Sequence, residues 1–518
     1  MSNLFENPSN FQELNPGECC LADKYVTNSA IAYNSDNSKY ELTLTFNDGT
    51  TLVAPYPASF YSLSTTNVLT VTKSGNDTDA LAAGKYDFIE PWLNPTVAMA
   101  SADAGDVVIV YPGTYKIGTG GLADDGNQHM VKNGVTLYMM PGAVIHYTNA
   151  TGTISLPFTD GGALSHFKIK GKGQFLFEAD TSTSVDYFNF TKNASSTVDW
   201  EFDKITTNRR FGAPIAQNPN FASWRLVGRE YVNSESGIFQ FDLPASSTNR
   251  FIDIDIEYVR LTCTNTSKLE WVFNKISNLH TGSIANIRYG KVSYPNAKNA
   301  SGFHENDACS KGSIVNLTID NLKRTGGVLG GGEDDYTDFI VYHNTDASKG
   351  TYTIRNIETE KGLIKSDTIN GSDACREAYL QGVISNNTIA NQYLMHFDTT
   401  ALHYKIDLNI IHSGSSEYSL GIYAKDSYLV KISGYLEWGG NVANEPLLLD
   451  YGSEIKALTV WNFILAGVSS THSAKNLDAS NAVKLTSLSS FCNKTPVNSA
   501  GGGVTELVGA MTISTDIY

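Results

Sequence analysis

Two pairs of acidic residues carry the side chains best suited to chemistry in this chain. Glu305 and Asp307 are separated by one residue, and Asp334 and Asp335 lie just beyond a run of three glycines. Glycoside hydrolysis needs two carboxyl groups, about 5 Å apart for retention of configuration and roughly 6.5 to 9.5 Å apart for inversion. Two close carboxyl groups also drive their pKa values apart, as an acid and a base require. These four residues are therefore the candidate catalytic groups.

Three further residues could bind a carbohydrate. His304 directly precedes Glu305, and Arg376 lies in a later polar stretch of the sequence. An arginine can pair with the carboxylate of a uronate, and an aromatic ring offers an apolar face together with a polar edge. Trp438, which is followed by two glycines, is the tryptophan that we expect to be exposed, whereas Trp224 is expected in the core.

No cofactor is predicted. The six cysteines show neither zinc-ligand spacing nor the pattern of a small disulfide framework, and no metal site is assigned. The alternative interpretation of the acidic pairs is a solvated turn or a cation site built from the same oxygens, and Ca²⁺ is a cation that prefers such ligands. A phosphate-binding glycine loop, a zinc-binding histidine pair and a serine nucleophile elbow are all missing from the sequence.

The acidic pairs lie far apart in sequence and can meet only if the chain folds as a regular repeat. Such a repeat runs from about residue 160 to 470, where an apolar-x-x-apolar unit recurs in segments rich in β-branched and aromatic residues. The units are Ile169 and residues 202–205, 224–227, 256–259, 289–292, 319–322, 354–357, 380–383, 408–411, 432–435 and 460–463. Successive units begin 22 to 35 residues apart, which is the length of one three-sided coil of a solenoid.

The second position of these units holds residues of alternating charge. In a solenoid the coils stack about 4.8 Å apart, so residues about one coil apart become lateral neighbours. Reading down the units gives Asp203, Arg225 and Glu257, and later Asp320 followed by Arg355. Stacked opposite charges stabilise neighbouring strands modestly. We therefore interpret this column as structural rather than catalytic.

A distinct segment leads into the repeat. It consists of a Ser-Gly-Asn-Asp turn, an Ala-rich stretch near residues 90–102, a Gly-Asp-Val strand, a Pro-Gly-Thr-Tyr turn, a Gly-Val-Thr-Leu strand and a Pro-Gly turn. This order resembles the beginning of right-handed parallel β-helix proteins of the pectate-lyase-like superfamily, and most of all bacteriophage tailspike and fibre proteins. The resemblance implies an all-β fold: a right-handed single-stranded parallel β-helix whose open end is capped by a short helix near residues 90–102.

Three segments are expected along the chain. Residues 1–70 form a small β-module, in which an alternating strand at 40–46, an Asn-Asp-Gly-Thr turn and a returning strand indicate a hairpin. This module is either a virion attachment domain or a plain capping hairpin. Residues 71–470 form the β-helix, and residues 471–518 form a tail that caps the helix or contacts symmetry mates in a trimer.

The charge and hydropathy of the sequence argue against nucleic-acid binding and against a membrane-spanning segment. A formal net charge of −16 argues against nucleic-acid binding, which needs a basic surface. The sequence has no apolar run of about 20 residues that could span a membrane, and no basic segment followed by an apolar stretch at its start. We expect a protein that is made in the host cytoplasm and reaches the outside of the cell in a virion.

The resemblance implies a bacteriophage virion appendage: a tailspike, tail fibre or head fibre. Such a protein would be a homotrimer that contacts host surface polysaccharide and other virion proteins, with or without depolymerase activity. A free polysaccharide lyase or glycoside hydrolase and a purely structural virion protein remain alternatives. The catalytic motifs of polygalacturonases and pectate lyases are not found in this sequence, and this departure puts enzymatic activity in doubt.

Overall fold

The computed structural model describes a set of separate stretches of the chain. They are residues 26–34, 39–46, 49–55, 67–118, 131–149, 166–179, 187–188, 197–208, 210–213, 222–234, 239–242, 249–262, 271–277, 279–280, 282–296, 301–306, 313–327, 339–344, 349–359, 362–367, 375–384, 392–398, 403–412, 419–425, 429–438, 447–450, 457–466, 474–476, 485–486, 488–490, 497–498 and 507–508. The chain divides into two compact units, Met1–Val68 and Leu69–Tyr518, close to the boundary expected at residue 70.

The first unit contains a three-stranded antiparallel sheet. Its strands are β1 (Val26–Asn34), β2 (Lys39–Phe46) and β3 (Thr51–Pro55), in the order β1-β2-β3. Thr45 pairs with Thr51 across the turn, where Gly49 has a φ of 80° that glycine adopts without strain. The predicted hairpin is confirmed.

The second unit begins within strand β4 (Val68–Val71), which is followed by two short helices, α1 (Asp77–Ala82) and α2 (Pro95–Ser101). The Asn94 side chain caps α2 by accepting a hydrogen bond from the Thr96 N–H at 3.0 Å, and Pro95 occupies the first turn. The helix expected near residues 90–102 is confirmed, but its start is later than predicted. Residues 91–92 are extended instead, because Trp92 pairs with Val71 through backbone hydrogen bonds.

The solenoid starts as two columns of short parallel strands. They are β5 (Val107–Val110), β6 (Gly113–Gly118), β7 (Thr136–Met139), β8 (Ala143–Asn149), β9 (His166–Gly171) and β10 (Gln174–Ala179), followed by β11 (Tyr187–Phe188) and β12 (Thr197–Thr207). One column pairs β5, β7 and β9, and the other pairs β6, β8 and β10. Strand β9 pairs with the first part of β12, and β10 pairs with its last part. The two columns therefore merge into one long strand at β12.

From β12 onward the coils alternate a long strand with a shorter one. The remaining strands are β13 (Arg210–Ala213), β14 (Ser223–Asn233), β15 (Phe239–Asp242), β16 (Phe251–Leu261), β17 (Trp271–Ser277), β18 (Ile284–Asn296), β19 (Ser301–Asn306), β20 (Ile314–Gly327), β21 (Phe339–Asn344), β22 (Gly350–Thr359), β23 (Gly362–Asp367), β24 (Cys375–Ile384), β25 (Gln392–Asp398), β26 (His403–His412), β27 (Ser419–Lys425), β28 (Leu429–Trp438), β29 (Leu447–Asp450), β30 (Ala457–Ala466), β31 (Ala474–Asn476), β32 (Leu485–Thr486), β33 (Leu488–Ser490), β34 (Val497–Asn498) and β35 (Leu507–Val508).

These strands form two parallel sheets. The even-numbered strands from β12 to β30, then β33, lie side by side in the long-strand sheet, and the odd-numbered strands from β11 to β31, then β34, form the short-strand sheet. The predicted all-β parallel solenoid is thus confirmed. Its paired strands continue to Val497–Asn498, beyond the end expected at residue 470. A right-handed winding stays a prediction, favoured by the strong right-handed preference of parallel crossover connections.

The apolar-x-x-apolar unit is a bend in each long strand. In β12 inward and outward residues alternate until Asp203 and Lys204, which both face outward between buried Phe202 and Ile205. Two successive outward residues break the two-residue period of a flat strand, so the wall turns there. Pairing places the units at 256–259, 289–292, 319–322 and 354–357 in one register, as predicted.

The unit predicted at residues 224–227 is wrong by four residues. Phe202 pairs with Gly228, and Ile205 pairs with Tyr231. The bend lies at residues 228–231. The apolar-x-x-apolar pattern does not detect it, because its first residue, Gly228, has no side chain. Phe202 fills the space, since a Cβ atom on Gly228 would lie 2.1 Å from Cζ of the Phe202 ring.

The later units are less regular than predicted. In β24 and β26 the bend is lost, and Val383 and Ile411 are 39% and 41% exposed rather than buried. The pairing of β22 with β24 shifts its register between Ile354 and Ile357, and this shift accommodates the loss of the bend in β24. In β28 it is Gly434, not Ile432, that pairs with Leu408.

The core of the second unit runs along the inside of the coils. Val108, Ile109 and Val110 are all buried, as expected for a strand covered on both faces. Trp224 is 3% exposed, which confirms its predicted place in the core, and Trp200 is 1% exposed. Among the described residues, no helix is long and apolar enough to cross a bilayer.

Candidate functional site

A column of alternating charges runs along the outside of the bend. The Arg229 Nε donates a hydrogen bond to Asp203 Oδ1 at 2.7 Å, and Glu257 is the next residue in the register. The hydrogen bond to Asp203 chiefly raises the pKa of Arg229, with a smaller contribution from Glu257. The predicted Asp-Arg-Glu column is therefore present, but its arginine is Arg229 and not Arg225.

Arg225 belongs to a separate ion-pair cluster on the long-strand sheet. Its Nη1 donates to Asp199 Oδ1 at 2.8 Å and to Glu201 Oε1 at 3.1 Å. The Lys170 Nζ donates to the same two carboxylates, at 2.8 Å each. Partial burial acts to raise the pKa of Asp199 and of Glu201, but the hydrogen bonds from Lys170 and Arg225 outweigh it and lower both. Because each charge is matched, the cluster is structural.

The charge column is interrupted at Gly290. Glycine occupies the position between Glu257 on one rung and Asp320 two rungs later, so no side chain fills the space above the bend. A Cβ atom on Gly290 would lie 2.7 Å from the Glu257 carbonyl oxygen. The close approach of the neighbouring backbone therefore favours glycine here and leaves a gap in the column.

This gap opens into a groove on the outer face of β16, β18 and β20. We call it the Gly290 groove. Its volume is about 680 Å³, and it is lined by Glu257, Tyr258, Arg288, Gly290, Lys291, Asp320 and Asn321. Tyr258 is 49% exposed. The groove thus combines an exposed aromatic ring with carboxylates, an amide and basic side chains.

One wall of the Gly290 groove is fixed by hydrogen bonds. The Arg288 guanidinium bridges two acids, with Nη1 2.9 Å from Asp255 Oδ1 and Nη2 2.8 Å from Asp320 Oδ2. The Asn321 Nδ2 donates to the Gly290 carbonyl at 3.3 Å. Asp320 also contacts the Arg355 Nη1 at 3.5 Å.

The opposite side of the groove is open to a ligand. Within the part of the chain that the structure describes, neither Tyr258 nor Lys291 makes a hydrogen bond or ion pair to another side chain. Both are exposed. Their polar atoms are available to an incoming molecule, whereas the guanidinium of Arg288 is already occupied.

Of the four predicted catalytic residues, only Glu305 lies in the described part of the structure. Glu305 lies in β19, and its neighbour on the next coil is His343, eight residues beyond Asp335 in sequence. Asp307, Asp334 and Asp335 lie outside the described residues. A catalytic pair between these acids stays a prediction.

The predicted carbohydrate-binding residues belong to different sheets. His304 lies in the short-strand sheet, where it pairs with Tyr342. Arg376 and Trp438 lie in the long-strand sheet, next to Tyr404 and His412 of β26 respectively. These two positions are eight residues apart along one strand, about 26 Å. Carbohydrate binding by each of these three residues stays a prediction.

The residues of the Gly290 groove were missed in the sequence, although a signal for them exists. Tyr258 and Lys291 are the third residues of two regular bend units, and this position faces outward in every unit that keeps the bend. An aromatic residue at an outward position, with a glycine diagonally next to it on the following rung, marks an accessible ring. Among the described residues, no group of three or more His, Cys, Asp or Glu side chains could hold a metal ion.

No family model matches this chain, and neither a curated protein nor a solved structure matches it.

Proposed function

We propose that this protein contacts a polysaccharide through the outer face of its solenoid, and that the Gly290 groove is a glycan contact site. The observation that carries the proposal is the exposed ring of Tyr258 beside an open groove of about 680 Å³. The apolar face of a tyrosine packs against apolar C–H surfaces, while its edge stays hydrated. The C–H face of a pyranose ring is such a surface.

The polar groups of the groove suit sugar hydroxyls. Glu257 accepts hydrogen bonds, Lys291 donates them, and the amide of Asn321 can do both. Because the Arg288 bridge holds one wall in place, little ordering is needed when a ligand binds. The mixed charges favour a hydroxylated ligand over a strongly anionic one.

The biological setting in this proposal is a bacteriophage appendage that touches host surface glycan. It is supported by the resemblance of the segment at residues 71–147 to phage β-helix proteins and by the low charged fraction of 17%. The proposal includes a homotrimer and a role of residues 1–70 in binding other virion proteins. Native mass spectrometry tests the trimer, because the chain mass is 56.3 kDa.

Substitution of Tyr258 tests the glycan contact. We expect Tyr258→Ala to weaken binding to purified host lipopolysaccharide or capsule by about tenfold, since an aromatic contact contributes roughly 0.5–1.5 kcal/mol beyond its buried area. The matched control is Tyr379→Ala, which removes another exposed tyrosine, 37% exposed, from a different rung. Equal loss in both variants, or no loss in Tyr258→Ala, would overturn the assignment of the groove.

Cleavage of the bound glycan is the second candidate function. Glu257 and Asp320 are two carboxylates that line the groove from rungs two apart, and glycoside hydrolysis needs two carboxyl groups. However, Asp320 already contacts two guanidinium groups, so binding is better supported than cleavage. New reducing ends after incubation would show hydrolysis, and ultraviolet absorbance from unsaturated products would show lyase activity. If neither rises, the protein binds without cutting.

A further inference from the structure

A second groove lies at the N-terminal end of the solenoid, far along the chain from the Gly290 groove. It has a volume of about 490 Å³ and is lined by residues from β4, the start of α1, the segment before α2 and Tyr111. We call it the cap groove. All of its lining residues belong to the second unit, and no part of the proposed glycan contact uses them.

The cap groove is acidic. Asp79 and Glu90 line it and are exposed, and none of the residues described around the groove is basic. The nearby Lys73 is directed elsewhere, with its Nζ 5.3 Å from the centre of the Tyr115 ring. Lys85 is likewise engaged by Asp103. Among the described residues, neither carboxylate therefore has a basic side chain paired with it.

Two aromatic rings line the same groove. Phe88 and Tyr111 meet edge to face, with ring centres 6.5 Å apart and planes at 71°. Phe88 is 47% exposed. Aromatic faces attract cations, and the attraction adds to that of nearby carboxylates.

Hydroxyl groups complete the lining. The Thr72 and Ser74 hydroxyls lie 3.3 Å from each other at the groove. Thr70 is the buried member of the lining, at 6% exposure, and its Oγ1 has no hydrogen-bond partner among the described residues. A buried hydroxyl without a partner costs free energy unless a ligand or water satisfies it. This observation, independent of the acidic charge, also points to a polar ligand.

We propose that the cap groove binds a small hydroxylated ligand that carries a primary ammonium group, such as an amino sugar. The ammonium lies between the carboxylates of Asp79 and Glu90 and over the aromatic rings, and the hydroxyls of the ligand bond to the threonine and serine side chains. The net charge of −16 attracts cationic ligands from a distance. This site acts independently of the Gly290 groove.

Isothermal titration of the full chain with glucosamine and with glucose tests the proposal. Glucose has the same ring but no amine, so it isolates the contribution of the charge. We expect glucosamine to bind and glucose to bind at least about tenfold more weakly, because a hydrogen bond to a charged group contributes about 1.5–3 kcal/mol and 1.4 kcal/mol is a factor of ten. Equal affinity for both sugars, or no binding of either, would refute the proposal.

A double variant locates the site. Asp79→Asn with Glu90→Gln should abolish the preference for glucosamine. The control pair, Asp253→Asn with Glu358→Gln, removes the same charge from the outer face of the long-strand sheet and should leave the preference intact. Thermal unfolding of each variant checks that the fold is retained. Loss of preference in both pairs would assign the effect to overall charge and would also overturn the proposed site.

Discussion

At the scale of single residues, the outer face of the solenoid uses charge mainly to join neighbouring rungs. Arg225 and Lys170 each contact both Asp199 and Glu201, and Arg229 contacts Asp203. Exposed ion pairs contribute little to folding stability individually, but a cluster of matched charges with partly buried members contributes more. The Gly290 groove opens where the column of charged residues is interrupted by a glycine, so the function proposed for the groove depends on the absence of a side chain at Gly290.

The ion-pair cluster should make the stability of the protein depend on acid pH. The folded-state pKa values of Asp199 and Glu201 are lowered, so the cluster stabilises the fold above about pH 4 and loses this effect as the pH falls further. We expect Arg225→Met to lower the free energy of unfolding by about 1 kcal/mol at pH 7, and the difference from wild type to shrink below about pH 4.

Urea unfolding at a series of pH values measures this difference. His412, whose burial lowers its pKa to about 4, contributes equally to both proteins and cancels in the comparison. Lys323→Met is the control, because Lys323 and its ion-pair partner Glu358 are both exposed to solvent. A pH-independent difference for Arg225→Met would show that the packing of the arginine, and not its charge, stabilises the fold.

At the scale of elements, the bend in each long strand determines which residues can meet on the surface. The sequence predicts the bends at 256–259, 289–292, 319–322 and 354–357 because each has two apolar residues that turn inward on either side of two outward-facing residues. It misses the bend at Gly228, because the inward volume there is supplied by Phe202 from the rung before. The register of a coil depends on turns of variable length, so the neighbours of Glu305 could not be assigned from spacing alone.

The Phe202–Gly228 contact predicts a specific coupling between two rungs. We expect Gly228→Ala to destabilise the protein by about 1–3 kcal/mol, because the added methyl group overlaps the Phe202 ring and overpacks the core. In a Phe202→Leu background the cost should fall, since the ring atom that the methyl group meets is removed. Chemical unfolding of the two single variants and the double variant measures the coupling. Additive effects would mean that the backbone of Gly228, rather than its contact with Phe202, carries the cost.

At the scale of the whole molecule, a solenoid is held together by contacts between successive coils. Each long strand from β14 to β28 pairs with one neighbour on either side, so its stability depends on its own packing and on those two interfaces. The Gly290 groove, which spans three such rungs, is built on the middle of this stack. The candidate site could not be predicted in full from the sequence because it exists only after three coils, about 30 residues apart, are stacked in register.

This nearest-neighbour architecture predicts that damage to one coil stays local. Ile287 in β18 is 2% exposed, and Ile287→Ala should cost about 2–5 kcal/mol through the cavity that it leaves. We expect the slow-exchanging amides of β16, β18 and β20 to lose protection in hydrogen exchange, while those of β12 and β26 keep it. The reason is that opening one rung exposes only its own hydrogen bonds and those to its two neighbours. If protection falls by the same factor in every strand, the second unit unfolds as one cooperative domain, and the nearest-neighbour description of its stability fails.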